Sequence, residues 1–143
     1  MLTLPKLRRK EYREHLYRFV HKVLERKDIV GILLFGSVAK GLEKPFPESD
    51  IDVLVVARNL PKNIYRRRIE NLRYKDGAES VEDIWLTPEE LLEGIEGGWG
   101  VILDAVADGI IVYDKEGLLK KAKTLVLKKF KRIGKVWILK QQP

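Results

Sequence analysis

Between Ile29 and Val56 the chain reads IVGILLFGSVAKGLEKPFPESDIDVLVV, and this stretch leaves few options for what it can become. Residues 29–35 form an unbroken apolar run of strand length, rich in β-branched side chains. The run stops at Gly36-Ser37, where a residue without Cβ lets the backbone turn sharply and a ligand come close. After a loop marked by Gly41, Pro45 and Pro47, the segment Ser49-Asp50-Ile51-Asp52 opens a second apolar strand through Val56. Strand side chains alternate faces, so Asp50 and Asp52 point one way while Ile51, Val53 and Val55 enter the opposite layer. Two carboxylates side by side repel each other, and a hard divalent cation with oxygen ligands is the economical relief.

The other elements follow the same punctuation. Residues 6–27 predict an amphipathic helix, with Tyr12, Leu16, Phe19, Val20, Val23 and Leu24 at three- and four-residue spacing. His15 and His21 lie six apart on it, which is no same-face ligand pair, and read as packing or surface residues. Residues 37–40 predict one helical turn ended by Gly41, and exposed amides at such a start suit phosphate. The Glu- and Pro-rich segment 43–49 reads as a mobile rim. Residues 64–74 predict a basic helix with Ile64, Tyr65, Ile69 and Leu72 as its apolar stripe. Residues 81–86 read as a third strand, and Thr87-Pro88-Glu89-Glu90 as a capping box opening a helix to about residue 95. A helix over 101–107, a strand over 110–113, a cap at Asp114 and a basic helix over 118–133 complete the order. The tail carries Val136-Trp137-Ile138-Leu139, which predicts docking on the domain or on a second copy. This order fits an α/β (α+β) sandwich with a small mixed sheet flanked by helices.

At 143 residues the expectation is one domain over 1–143, with its core at 29–86, an N-terminal helix at 6–27, and a C-terminal helix and tail at 117–143. With no cysteine, disulfides, thiolate metal sites and cysteine nucleophiles are excluded. No apolar run approaches the ~20 residues that span a bilayer, nor is there a signal-peptide core, so the expected location is the cytoplasm. A formal charge of +7 favours polyanionic partners, nucleoside triphosphates and nucleic acid among them. Its basic patches at 6–10, 66–68 and 120–135 read singly as solvated helix faces.

Gly36-Ser37, Ala39 and Gly41, followed by Ser49-Asp50-Ile51-Asp52 and an apolar strand, resemble the signature of the nucleotidyltransferase superfamily that includes DNA polymerase beta. The short length points to its minimal nucleotidyltransferases, and residues 29–86 carry the resemblance. It implies a nucleotidyltransferase fold and transfer of a nucleoside monophosphate, AMP from ATP by the family's commonest choice, to a hydroxyl with release of pyrophosphate. Asp50 and Asp52 would then be catalytic carboxylates holding two Mg2+ ions, and Gly36, Ser37 and Lys40 would hold the triphosphate. The family adds a third carboxylate from a neighbouring strand. Here Asp83, followed by the apolar trio Ile84-Trp85-Leu86, is the expected metal ligand, with Glu82 as the alternative; alternation lets only one of them face the site. Lys40 stands where the family often has Arg, which keeps the charge and loses the fork geometry.

Minimal nucleotidyltransferases are often paired with a separate HEPN-type helical protein, in some cases as antitoxin to its toxin. The resemblance therefore carries a second reading, a non-catalytic module that binds nucleotide or partner. Trp99 and Trp137, apolar yet in a loop and a tail, suggest a partner or homodimer contact.

Overall fold

The computed structural model describes residues 2–141. Met1, Gln142 and Pro143, the ends of the expected 1–143 span, lie outside the described residues. Four strands make one mixed sheet in the order β3-β2-β1-β4: β1 Ile29–Phe35, β2 Ile51–Ala57, β3 Val81–Leu86 and β4 Ile110–Asp114. The central β1 runs antiparallel to β2 and to β4, whereas β2 and β3 are parallel. Antiparallel neighbours can be joined by a short loop, and α2 (Gly36–Ala39) with the loop after it joins β1 to β2. Parallel neighbours need a crossover, supplied by α3 (Ile64–Asn71) and a 3-10 turn at Leu72–Lys75.

The sheet is covered on both faces, which is why β1 and β2 read as continuous apolar runs. Ile32, Leu34, Val53 and Val55 pack under α1 (Lys10–Val23) together with Tyr12, Leu16, Phe19, Tyr74 and Trp85. Leu33, Leu54 and Val56 pack on the other side under α4 (Pro88–Glu96), α5 (Gly100–Asp108) and α6 (Leu118–Lys129). The capping box at Thr87 and Glu90 forms as expected, and Asp114 caps α6 by accepting from the backbone N–H groups of Leu119 and Lys120. Lys123, its ammonium pushed down by burial, donates to the carbonyls of Val106 and Gly109 and so closes the C-terminal end of α5. No helix among the described residues is long and apolar enough to cross a membrane.

Three expectations are corrected. The first helix covers Lys10–Val23 rather than 6–27; the segment before it is extended, with the Thr3 N–H donating to the Val112 carbonyl at the outer edge of β4. The last helix ends at Lys129, because residues 130–139 form a hairpin of β5 (Phe130–Ile133) and β6 (Val136–Leu139). Gly134, at φ +61°, takes the turn, and Arg132 and Trp137 on the hairpin's inner face both bond to Asp104 of α5. Phe130 and Ile133 also satisfy helical spacing, and such short segments fit both periods.

The third correction concerns α3. Its apolar stripe faces outward: Ile64, Tyr65, Ile69 and Leu72 are all exposed, while Arg67 and Asn71 are buried. The helix is docked by hydrogen bonds. Arg67 donates to the carbonyls of Pro61 and Trp85 and pairs with Glu90, and Asn71 accepts from Arg26. The Arg66–Arg68 patch is thus not uniformly solvated, since its middle member closes the sheet edge at Trp85. Hydrogen bonds to a buried charge contribute about 1.5–3 kcal/mol. Arg67→Ala should therefore lower the unfolding free energy in urea by about 2–3 kcal/mol. Arg66→Ala and Arg68→Ala should each stay within about 0.5 kcal/mol of wild type. Equal effects at the three positions would contradict this clamp.

Candidate active site

The end of β1 delivers Gly36 against the carboxylate of Asp52. A Cβ at Gly36 would collide with the Asp52 side chain, and the glycine also holds φ at +76°. Both facts demand glycine here, the first for closeness and the second for backbone shape. The short helix α2 follows, closed by the Gly41 N–H donating to Val38 and the Leu42 N–H donating to Ser37, with Gly41 at φ +70°. Ser37 is half-buried at the start of this turn, and Lys40 is exposed at its end.

The loop from 41 to 49, expected as a mobile rim, is stapled to α1. The Tyr12 hydroxyl donates to the Lys44 carbonyl at 2.8 Å and accepts from the Ser49 N–H at 2.9 Å. Phe46 sits edge-on against both Tyr12 and His15. Glu43 is buried against Arg8 and Arg9, with the Arg8 guanidinium donating to its Oε1. None of these partners was expected at the site. They lie 32 to 37 residues apart along the chain, and no local pattern marks such pairs. His15 is thereby a packing residue, as its spacing suggested.

Asp50 is exposed just before β2 and Asp52 is half-buried one face-repeat later. Cross-strand register pairs Asp52 with Phe35 on one side and with Glu82 on the other. Glu82 therefore shares the sheet face of Asp52. Asp83 pairs with Val53 and shares the opposite face, where it accepts a 2.7 Å hydrogen bond from the Trp85 indole and lies 3.5 Å from the Lys75 ammonium. The fold thus gathers Asp50, Asp52 and Glu82 beside the Gly36 turn and leaves the expected Asp83 out. Alternation along one strand made the choice binary, and only the β2–β3 register resolves it.

The Asp52 carboxyl is held above the ordinary carboxylate range, first by burial, then by the charge of Asp50, then by that of Glu82. Lys40 lies 3.8 Å from Asp108, whose carboxyl is held low chiefly by its hydrogen bonds from Arg132.

A family model described as a nucleotidyltransferase domain matches residues 16–132. The chain belongs to the nucleotidyltransferase family. The protein named "Putative protein adenylyltransferase MJ1305" of Methanocaldococcus jannaschii is 30% identical over 118 residues, 78% of this chain and 76% of that one. A crystal structure described as a toxin-antitoxin with AMP-PNP superposes with TM-score 0.52 at 17% identity, covering 84% of this chain and 86% of that one. A structure of the tri-AMPylated Shewanella oneidensis HEPN toxin in complex with MNT antitoxin matches with TM-score 0.46 at 16% identity, over 80% and 84% of the two chains. The mixed sheet flanked by helices is the nucleotidyltransferase fold.

In this nucleotidyltransferase the raised Asp52 carboxyl has a consequence for stability. An acid whose folded pKa lies above its unfolded value destabilises the fold; the cost grows as pH rises through the two values and is complete at neutral pH. Asp52→Asn should therefore raise the melting temperature of the metal-free protein at pH 7. The gain should shrink toward zero below the unfolded carboxyl value, about 4. Melts of both proteins at pH 7 and pH 3.5 check this, and a lower melting temperature for the variant at pH 7 would contradict the repulsion.

Proposed function

We propose that this nucleotidyltransferase moves the adenylyl group of ATP, with magnesium, onto a hydroxyl and releases pyrophosphate. The observation that carries the reading is the β2–β3 register, which aligns Asp52 with Glu82 on one face beside the Gly36 turn. The choice of AMP over other nucleotides, and of a protein as acceptor, draws on the relative named as an adenylyltransferase of proteins.

In the proposed reaction the acceptor oxygen bonds to the α-phosphorus while the bond to the bridging oxygen of the β-phosphate breaks, and pyrophosphate carries that electron pair away. Glu82 is the proposed base for the hydroxyl proton, a role in which a positioned carboxylate contributes about 10²–10⁴-fold. Backbone N–H groups at Gly36 and Ser37, with the Ser37 hydroxyl, are the proposed cradle for the triphosphate, and Lys40 supplies a further positive charge. Asp50 and Asp52, with Glu82, form an all-oxygen donor set whose mutual repulsion a hard cation relieves, so these residues suit magnesium. Among the described residues no three such side chains converge on a single point, and magnesium needs no such cage, taking one or two carboxylates and the substrate's own phosphates. When bound, two such ions would neutralise the phosphates and lower the pKa of the attacking hydroxyl.

A second reading is the antitoxin half of a pair with a HEPN-type helical protein. It draws on the outward apolar face of α3 and on the toxin-antitoxin neighbour. An antitoxin that adenylylates its toxin satisfies both readings at once.

With α-labelled nucleoside triphosphates, magnesium and host lysate, wild type should label a macromolecule from ATP, and an Asp50→Asn/Asp52→Asn double variant should not. Glu82→Gln should lower the rate by roughly 10²-fold or more. Asp83→Ala, remote from the chemistry, should keep the rate within a few-fold and instead lower stability by about 1 kcal/mol through its lost indole bond. The reverse pattern, Asp83 essential and Glu82 dispensable, would sink the assignment of the third carboxylate.

A further inference from the structure

Charge is not spread evenly along this chain. Residues 117–143 hold nine Lys and Arg residues and neither Asp nor Glu, so they carry +9 and the rest of the chain −2. Two of the nine are spent inside the fold: Lys123 on the carbonyls that end α5, and Arg132 on Asp104 and Asp108. Lys120, Lys121 and Lys128 are exposed on α6, and Lys131, Lys135 and Lys140 are exposed on and beside the β5–β6 hairpin. Helix and hairpin make one surface. The Lys140 N–H donates to the Lys129 carbonyl, and its ammonium donates to the Leu127 carbonyl at 2.6 Å.

Cross-strand register pairs Lys131 with Ile138 and Ile133 with Val136, on the hairpin face turned away from α5. Ile133, Val136 and Ile138 are 58%, 61% and 40% exposed, and Leu127 in the last turn of α6 is 57% exposed. The carboxylates that the hairpin bonds, Asp104 and Asp108, lie on its inner side and are held by Arg132. The outer side is therefore aliphatic and bordered by ammonium groups, and its partner must be both anionic and apolar. Nucleic acid is read by arginine forks and aromatic stacking. Here Arg132 is engaged, Phe130 is buried, and Trp137 is turned inward onto Asp104, its ring 4.6 Å from the Arg132 guanidinium. A second copy brings the same lysines against these. A specific protein interface takes roughly 20–30 residues a side, and the outward hairpin face offers four side chains. An anionic bilayer needs no such fit. Its phosphates meet the ammonium groups, its acyl boundary takes the aliphatic side chains, and the lysine stems span the two levels. The buried side of α6, with Leu119, Ala122 and Val126, belongs to the core, so the helix supplies charge and the hairpin supplies apolar contact.

We propose that the outer face of α6 and the β5–β6 hairpin dock this nucleotidyltransferase on an anionic lipid surface. Ile133, Val136 and Ile138 enter the boundary between headgroups and acyl chains, and Lys128, Lys131 and Lys135 meet the phosphates. The contact is peripheral and leaves the chain outside the hydrocarbon layer. It goes beyond the adenylyl-transfer reading and stands independently of it.

The test floats the full chain with vesicles of phosphatidylcholine alone and of phosphatidylcholine with about one third phosphatidylserine. The anionic vesicles should bind roughly tenfold tighter or more, and raising salt from about 0.05 M to about 0.5 M should weaken that binding roughly tenfold. Lys128→Glu/Lys131→Glu should weaken it by roughly tenfold or more. The triple variant Ile133→Thr/Val136→Thr/Ile138→Thr, which keeps charge and strand propensity, should weaken it roughly tenfold. All five positions are exposed, so both proteins should melt with wild type by circular dichroism. Arg66→Glu/Arg68→Glu, an equal charge change on α3, should stay within about twofold of wild type. Four results overturn the proposal. Equal loss from the α3 pair reduces the effect to net charge, and binding indifferent to phosphatidylserine removes the lysines from it. A single-stranded oligoribonucleotide bound tighter than the vesicles, with the threonine variant silent, gives the surface to nucleic acid. Self-association in the ultracentrifuge that the threonine variant abolishes, with no vesicle binding, gives it to a second copy. Because vesicle binding is read without ATP, failure of the adenylyl-transfer reading leaves all of these values unchanged.

Discussion

The site depends on one close approach, the backbone of Gly36 against the carboxylate of Asp52. A side chain at residue 36 would strike Asp52, and the φ of +76° excludes most residues independently. That contact brings the amides of the α2 turn and the acidic start of β2 into one small space. It also leaves Asp52 half-buried beside Asp50 and Glu82, an arrangement that disfavours ionisation of its carboxyl. Each pKa unit of such a shift corresponds to about 1.4 kcal/mol. Fully burying one Val, Leu or Ile contributes about 1.5–3 kcal/mol. In β2, Ile51, Val53, Leu54, Val55 and Val56 are all at most 1% exposed, so the strand carrying the repulsion is itself the best-anchored piece of the sheet.

The second constraint is the parallel pairing of β2 with β3. A parallel neighbour forces a crossover, and α3 with its 3-10 turn provides one. The register of that pairing decides which acidic residue joins Asp52, and the crossover helix decides what the sheet edge presents to solvent. Arg67 closes the edge at the Trp85 carbonyl and ties α3 to α4 through Glu90. Because the helix is held by this polar clamp, its apolar stripe is free to face outward. The pairing of Glu82 with Asp52, the groove along β3 and the exposed stripe therefore have a common origin in one connection.

What could be read from the chain alone was what local chemistry dictates. Val81–Leu86, the Thr87 capping box, the two apolar strands and the shared face of Asp50 and Asp52 each follow from neighbours within a few residues. The choice between Glu82 and Asp83 could not be read, because it depends on the register with β2, some thirty positions away in the chain. The amphipathicity of α3 was legible but not its direction: burying apolar residues is the default, and only the partners of Arg67 and Asn71 reverse it. The Tyr12 staple and the burial of Glu43 by Arg8 and Arg9 join segments with no common pattern. At the C-terminal end, helical spacing continued through Ile133, and the chain turned at Gly134 because Arg132 and Trp137 find Asp104.

The same C-terminal hairpin bears on the α2 turn. Arg132 presents both guanidinium nitrogens to Asp108, at 2.8 and 2.7 Å, and also reaches Asp104. Asp108 is thereby supplied with the fork geometry that a carboxylate prefers. Lys40 stands 3.8 Å from the same carboxylate, an ion pair beyond hydrogen-bond length, with its side chain half exposed. A lysine that owned Asp108 outright would lose much of its charge to a local pair; a lysine second to arginine keeps an ammonium that can swing toward an arriving anion. An arginine at position 40 would compete with Arg132 for the same fork. Lysine, a point charge on a flexible stem, is the residue that lets the hairpin lock α5 while leaving a cation at the mouth of the site.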